Sequence, residues 1–282
     1  MKAAASFHPN FIFADDESGE TVILHGDNLA SQTNYGEEVD PTLVESVFRP
    51  ENETAQRRFV QLFSHTPDDV LALARVVRDW TEKEQGIRLS QSTLIALCEE
   101  LDRVLQGLPP QHTSFPDGLE LLYPQESAAA HWALKQVSLQ MGQIFEEQTA
   151  RSITWTMVGE QLELVHNQPK LRAITTLLGE MVHLIEETLQ RTLVPTAPDT
   201  RRFLLHLRFL ARRVLNDNPN LHEVDPKWYE SFSQKYPEAH RCALRVADFV
   251  EAQYHHQMGI DEQMYLLIHL AQMLRAESKL QT

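Results

Sequence analysis

Cysteine is scarce in this 282-residue sequence: Cys98 and Cys242 are the only two, far apart and in no CxxC pair. That argues against a disulfide framework and a thiolate metal site, and it fits a reducing compartment. Glycine is scarce too, at ten residues, and none falls in a phosphate-cradling loop or a nucleophile elbow; no metal-ligand spacing appears either. No catalytic constellation, metal or cofactor is expected. Long apolar runs are missing: nothing approaches about 18 uninterrupted apolar residues, and Met1 to Phe13 lacks a charged start followed by an apolar stretch. The chain therefore reads as cytoplasmic, neither exported nor membrane-bound. Basic residues are short, 25 against 40 acidic, for a net charge of -15. A surface that mostly grips phosphates is excluded, so any nucleic-acid contact must be local.

What is present is a globular composition, 42% hydrophobic and 23% charged, in a chain long enough for two or three domains. The first fifty residues are β-prone. Asn10 to Ala14 and Thr21 to Leu24, separated by the polar run Asp15 to Glu20, read as a hairpin. Turn signals at Gly26-Asp27-Asn28 and Gly36 lead to a further strand candidate, Leu43 to Phe48. A unit of about 50 residues buries only a marginal core, so it is expected to pair with a second copy. Arg49 to Thr54, polar and proline-marked, suits a linker.

Helical periodicity follows. Val60, Phe63, Val70, Leu73, Ala74, Val77 and Trp80 recur at three-to-four spacing, as do Leu94, Leu97, Cys98, Leu101, Val104 and Leu105. The second half repeats the plan, with a helix over about Leu171 to Leu193, a proline-marked break at Pro195 to Pro198, and a helix over about Thr200 to Leu215. In each half a Tyr-Pro starts an alanine-rich amphipathic stretch: Tyr123-Pro124 before Ala128 to Val137, and Tyr236-Pro237 before Ala239 to Val250. Proline in a first helical turn can be capping alone, but recurrence with similar helices on each side points to duplication. The expected fold is mainly α: a small antiparallel β domain followed by two similar all-α bundles.

This layout resembles the BglG/SacY family of antiterminators. The likeness is carried by Leu24-His25-Gly26 through Gly36-Glu37-Glu38-Val39-Asp40 and Val47-Phe48, by Arg202 to Leu210, by Tyr236-Pro237, and by Gly259-Ile260-Asp261-Glu262 to Leu267-Ile268-His269-Leu270. The resemblance implies a dimeric RNA-binding head over residues 1–55, a first phosphotransferase regulation domain over 56–170 and a second over 171–282. Members of that family switch when the sugar transporter or the carrier protein HPr phosphorylates histidines, usually two per regulation domain. The positions implied in the second domain are His206 and His269; those in the first fall near Leu97 and Gly159, so this domain is expected to lack its phosphoacceptors. In the head, an arginine of the family's RNA-reading stretch is replaced by Asp27, a phenylalanine by Ser31 and a lysine pair by Thr33-Asn34, which leaves Asn10, Gly26 and Gln32 as RNA-binding survivors.

The residues can be weighed without the resemblance. Residues 1–55 hold two basic side chains, Lys2 and Arg49, against eleven acidic ones, and a lost stacking aromatic costs about 1–3 kcal/mol per base, so a leader-RNA hairpin would be held weakly. A phosphoacceptor histidine needs a neutral, accessible nitrogen and a nearby cation. At helical spacing His206 shares a face with Arg202, Phe203, Phe209, Leu210 and Arg213, so Arg202 and Arg213 are the expected phosphate supports. His269 sits in an apolar helix with Asp261-Glu262 near its start. Taken singly, each reads as an ordinary histidine at a helix contact. His255 and His256 are adjacent, so they point to different faces and read as a surface pair rather than a metal site. The expected function is a non-enzymatic antiterminator-like regulator that binds leader RNA and is phosphorylated by HPr or a transporter component. The alternative is a regulator that has lost RNA contact and works through protein association.

Overall fold

The structure, a computed structural model, describes residues 1–50, 53–63, 67–164, 167–216 and 224–280. They fall into two compact units, one of residues 1–111 with 135–144, the other of 112–134 with 145–282.

The first unit begins with four antiparallel strands in sequence order, β1 (Lys2–His8), β2 (Phe11–Asp15), β3 (Thr21–His25) and β4 (Ser46–Phe48). The expected hairpin is β2–β3, in register from Phe11↔His25 to Asp15↔Thr21. Period-two alternation sends Val22 and Leu24 to a face packed with Ala3, Ile12, Ala14, Leu29 and Val39. The opposite face is aromatic: Phe11 and Phe48 meet Phe59 at 5.5 and 4.7 Å between ring centroids. Strand β1 escaped the sequence reading because Lys2 to His8 is alanine-rich and its pairing with β2 carries two register shifts.

Between β3 and β4 lie a short helix α1 (Leu29–Gln32) and a 3-10 turn, Pro41–Leu43. Then come α2 (Glu53–Phe63), α3 (Asp68–Trp80), which runs on into a π-helical turn over Thr81–Gln85, and α4 (Gln91–Leu105). Phe59 belongs to α2 and Arg75 to α3. The Arg75 guanidinium bonds Glu45 at 2.7 Å and Ser46 at 3.0 Å and also meets the His25 imidazole. The small core that motivated pairing with a second copy is thus extended by helices of the same chain. Of the expected linker, residues 51 and 52 lie outside the described residues, and α2 starts directly after them.

The second unit is helical: α5 (Leu119–Leu122), α6 (Pro124–Met141, with residues in both units), α7 (Glu147–Gln161), α8 (Gln168–Leu189), α9 (Pro198–Asn216), α10 (Pro226–Lys235), α11 (Pro237–Tyr254) and α12 (Ile260–Leu280). Four of these open on a proline, where the missing N–H costs no intrahelical bond. The two Tyr-Pro pairs start α6 and α11, each 18 residues long. Apolar stripes of α8, α9, α11 and α12 meet in one core that includes Leu178, Phe203, Leu207, Val246 and Leu267. Buried within this unit, Arg208 of α9 bonds Glu126 of α6 at 2.8 Å and lies over the Tyr123 ring. The architecture is mainly α with a small N-terminal antiparallel sheet, as the sequence predicts. Among the described residues no helix is long and apolar enough to cross a membrane.

Candidate functional site: the paired histidines of α9 and α12

Helix α9 buries Phe203, Leu204, Leu207, Leu210, Ala211 and Val214, and α12 buries Met264, Leu266, Leu267, Leu270, Ala271 and Met273. His206 and His269 each occupy a half-buried position at the edge of these stripes. Packing of the two helices brings the imidazoles face to face, with centroids 3.7 Å apart and planes 18° from parallel. The sequence singled out both residues but gave no reason for them to touch.

Tyr265, one turn before His269 on α12, completes the cluster. Its ring stands edge-on to both imidazoles, at 4.5 Å from His269 and 5.5 Å from His206, and its hydroxyl lies 2.6 Å from His206 Nδ1. Arg213 spreads over the Tyr265 ring at 5.1 Å and approaches Glu262 at 3.5 Å. Glu262, itself buried, is 3.0 Å from Nε2 of His256. A chain of groups thus runs from the loop after α11, through Glu262, Arg213 and Tyr265, to the stacked histidines.

The electrostatics favour neutral rings. Burial is the larger cause lowering the His206 pKa, and the positive charge of Arg202 adds to it. His269 is pushed down to about 4 by burial, by its neighbour His206 and by Arg202. A neutral imidazole keeps one nitrogen lone pair, which is what a nucleophile requires. Burial raises the Tyr265 pKa, with Arg213 opposing it, so the phenol stays protonated.

The expected supports are placed differently from one another. Arg202 is exposed on α9 and its charge is felt by both rings, whereas the Arg213 guanidinium is engaged with Tyr265 and Glu262. His256 is a correction: it is 6% exposed and paired with Glu262, not a surface residue. His255 is exposed, and its left-handed conformation ends α11. Tyr265 was legible in principle, since it precedes His269 by four residues and so shares its helix face, as does Glu262 at seven; what left no local signal was the pairing of Glu262 with His256. Leu97 and Gly159, the implied first-domain positions, are buried in α4 and α7.

In the first unit, Asn10, Gly26 and Gln32 each brace the loop after β3. Asn10 Oδ1 accepts from the Asn28 N–H at 2.9 Å, and Asn28 takes a left-handed conformation. Gly26 donates to the Asn10 carbonyl at 3.0 Å, and a Cβ there would collide with the Leu43 carbonyl oxygen. The Gln32 amide donates to the Asp27 carbonyl at 2.9 Å.

The chain is similar to known proteins over most of its length. Residues 179–272, which include both stacked histidines, match the PRD domain family. The chain is 24% identical to the transcription antiterminator LicT of Bacillus subtilis (strain 168), over 98% of this chain and 99% of that protein. It is 25% identical to a beta-glucoside operon antiterminator of Dickeya chrysanthemi, over 100% of this chain and 99% of that protein. A solved structure described as GlcT CAT-PRDI is 17% identical, with a TM-score of 0.44, and covers 55% of this chain and 95% of its own. Residues 179–272 thus resemble a PRD domain, and nearly the whole chain is similar to proteins named as antiterminators.

Proposed function

We propose that this chain is a phosphotransferase-controlled regulator of the antiterminator kind, switched by phosphorylation of His206 and His269. The observation that carries the reading is the stack itself: two half-buried imidazoles, held neutral, with the Arg202 charge close enough to depress both pKa values. A phosphoryl group adds about -1.5 to -2 charges beside two rings held uncharged, which favours rearrangement of the groups around them. Arg202 can meet the new dianion directly, and Arg213 can do so by leaving Glu262; charge-assisted bonds of this kind are worth about 1.5–3 kcal/mol each. Repacking of α9 against α12 then alters the regulator's output.

On this reading residues 1–55 form an RNA-binding and dimerising head, 56–170 a first regulation domain without phosphoacceptor histidines, and 171–282 a second domain that receives phosphate from HPr or a sugar-transporter component. The protein works as a homodimer in the cytoplasm. Incubation of the full chain with phosphoenolpyruvate, enzyme I and HPr, followed by peptide mass spectrometry, tests the switch. Label on His206 or His269 is expected, and its absence from both would end the proposal.

The head's output has a second reading, favoured by its acidity and by the internal hydrogen bonds of Asn10, Gly26 and Gln32. In it the protein has given up RNA and acts by associating with HPr or with an intact relative. A mobility shift of the purified protein with candidate leader hairpins at low salt separates the two. Binding at micromolar protein supports antitermination; no shift supports association.

A further inference from the structure

We propose that His206 takes its phosphoryl group at Nε2, and that Tyr265 is the positioning residue that makes this choice by occupying Nδ1. The inference rests on the phosphorylation of His206 proposed above, and adds the reacting atom and the residue that selects it.

An incoming phosphorus must approach along the in-plane lone pair of the attacking nitrogen. At Nδ1 that line is blocked, because the Tyr265 oxygen sits on it at 2.6 Å. The ring cannot easily swing Nδ1 clear: it would have to give up both the 3.7 Å stack on His269 and the hydrogen bond to Tyr265. Tyr265 is held in turn, with Arg213 over its ring at 5.1 Å and His269 against it at 4.5 Å. A neutral imidazole has one N–H and one lone pair. When Nδ1–H donates to the Tyr265 oxygen, the lone pair lies at Nε2 and the ring is ready to react. When the phenol donates to Nδ1 instead, the proton sits on Nε2, and neither nitrogen is both deprotonated and open.

The transfer balances without an added proton. The donor is a phosphohistidine of a carrier protein, protonated on its other ring nitrogen. Its P–N bond breaks and the electron pair stays with the departing neutral imidazole. The Nε2 lone pair of His206 forms the new P–N bond, and the Nδ1 proton remains on His206, donated to the Tyr265 oxygen.

The test uses the full chain, phosphorylated from phosphoenolpyruvate through enzyme I and HPr and read by 31P NMR in alkali, where the two phosphohistidine isomers are resolved. His269→Ala isolates the signal of His206. The expected result is a single Nε2-phosphohistidine in that variant and in the peptide spanning His206 from the wild type. In Tyr265→Phe the initial rate should fall by about two- to tenfold, the range set by one neutral hydrogen bond, and Nδ1-phosphate should appear beside Nε2-phosphate. A purely structural role for Tyr265 would slow labelling but leave it all at Nε2, which would overturn the assignment of the choice to this residue. Nδ1-phosphate in the wild-type peptide would overturn the inference whatever the variants do, while leaving the phosphorylation switch standing. Absence of label from both histidines of the wild type would instead remove the switch, and this inference with it.

Discussion

Protonating His206 and His269 together would place two cations face to face, because their ring centroids are 3.7 Å apart. Near a protein surface, charges at about 4 Å repel by roughly 4 kcal/mol, enough to keep at least one ring neutral well below the usual histidine range. In the unfolded chain both would titrate near about 6.5. The unfolded state therefore binds more protons than the folded state between that value and the His269 value of about 4, so stability rises with pH across this window and is lost as pH falls through it. Urea midpoints measured between pH 7 and 4 should decline more steeply for the wild type than for His269→Ala. Equal slopes would show that the stack does not titrate in this way.

Removing Arg202 should move both rings in the opposite sense. Its charge is among the causes that lower each pKa, so in Arg202→Met both histidines should titrate at higher pH by NMR. On the proposed switch the same variant also loses a cation whose charge reaches both rings, and initial phosphorylation should slow by about tenfold or more, the equivalent of one charged hydrogen bond. Unchanged titration and rate would place the supporting cation elsewhere.

Arg208 and Glu126 form a buried pair, with side chains 4% and 1% exposed. Among the described residues, Arg208 Nε and Glu126 Oε2 have no hydrogen-bond partner, so the pair is not fully satisfied. Breaking such a pair costs about 3–5 kcal/mol because one charge is left buried alone, whereas replacing both partners by apolar residues is often close to neutral. Glu126→Leu should destabilise the second unit strongly, and Glu126→Leu with Arg208→Met should recover most of the loss in chemical denaturation. Equal losses in the single and double variants would show that the ion pair itself is needed.

Gly26→Ala should damage the head by steric means. The added Cβ meets the Leu43 carbonyl oxygen, a backbone atom that cannot rotate away. Overpacking of this sort costs about 1–3 kcal/mol, in a unit whose core around Leu24, Leu29 and Val39 is small. Urea unfolding followed at head residues by NMR should show the loss, with the His206 and His269 signals unmoved. A head of wild-type stability would mean that the Leu43 segment has room to shift.

The sequence by itself determined the alternation that makes β2 and β3 a hairpin, the helical stripes of α8, α9, α11 and α12, and the proline starts of α6 and α11, because each is set by spacing along the chain. It also singled out His206 and His269 as residues of interest. Strand β1 was not legible, since its identity comes from irregular pairing with β2 and not from its own alternation. Nor was the burial of His256 against Glu262, because whether a loop histidine is covered depends on what packs over it. Only the tertiary structure decided that the two imidazoles stack, that Tyr265 rather than a cation holds His206 Nδ1, and that Arg213 is turned toward Glu262. Spacing along a helix says which face a side chain shares; it does not say which other helix meets that face, nor how deeply the edge between them is shielded from water, and those two quantities set the charge state of the histidines.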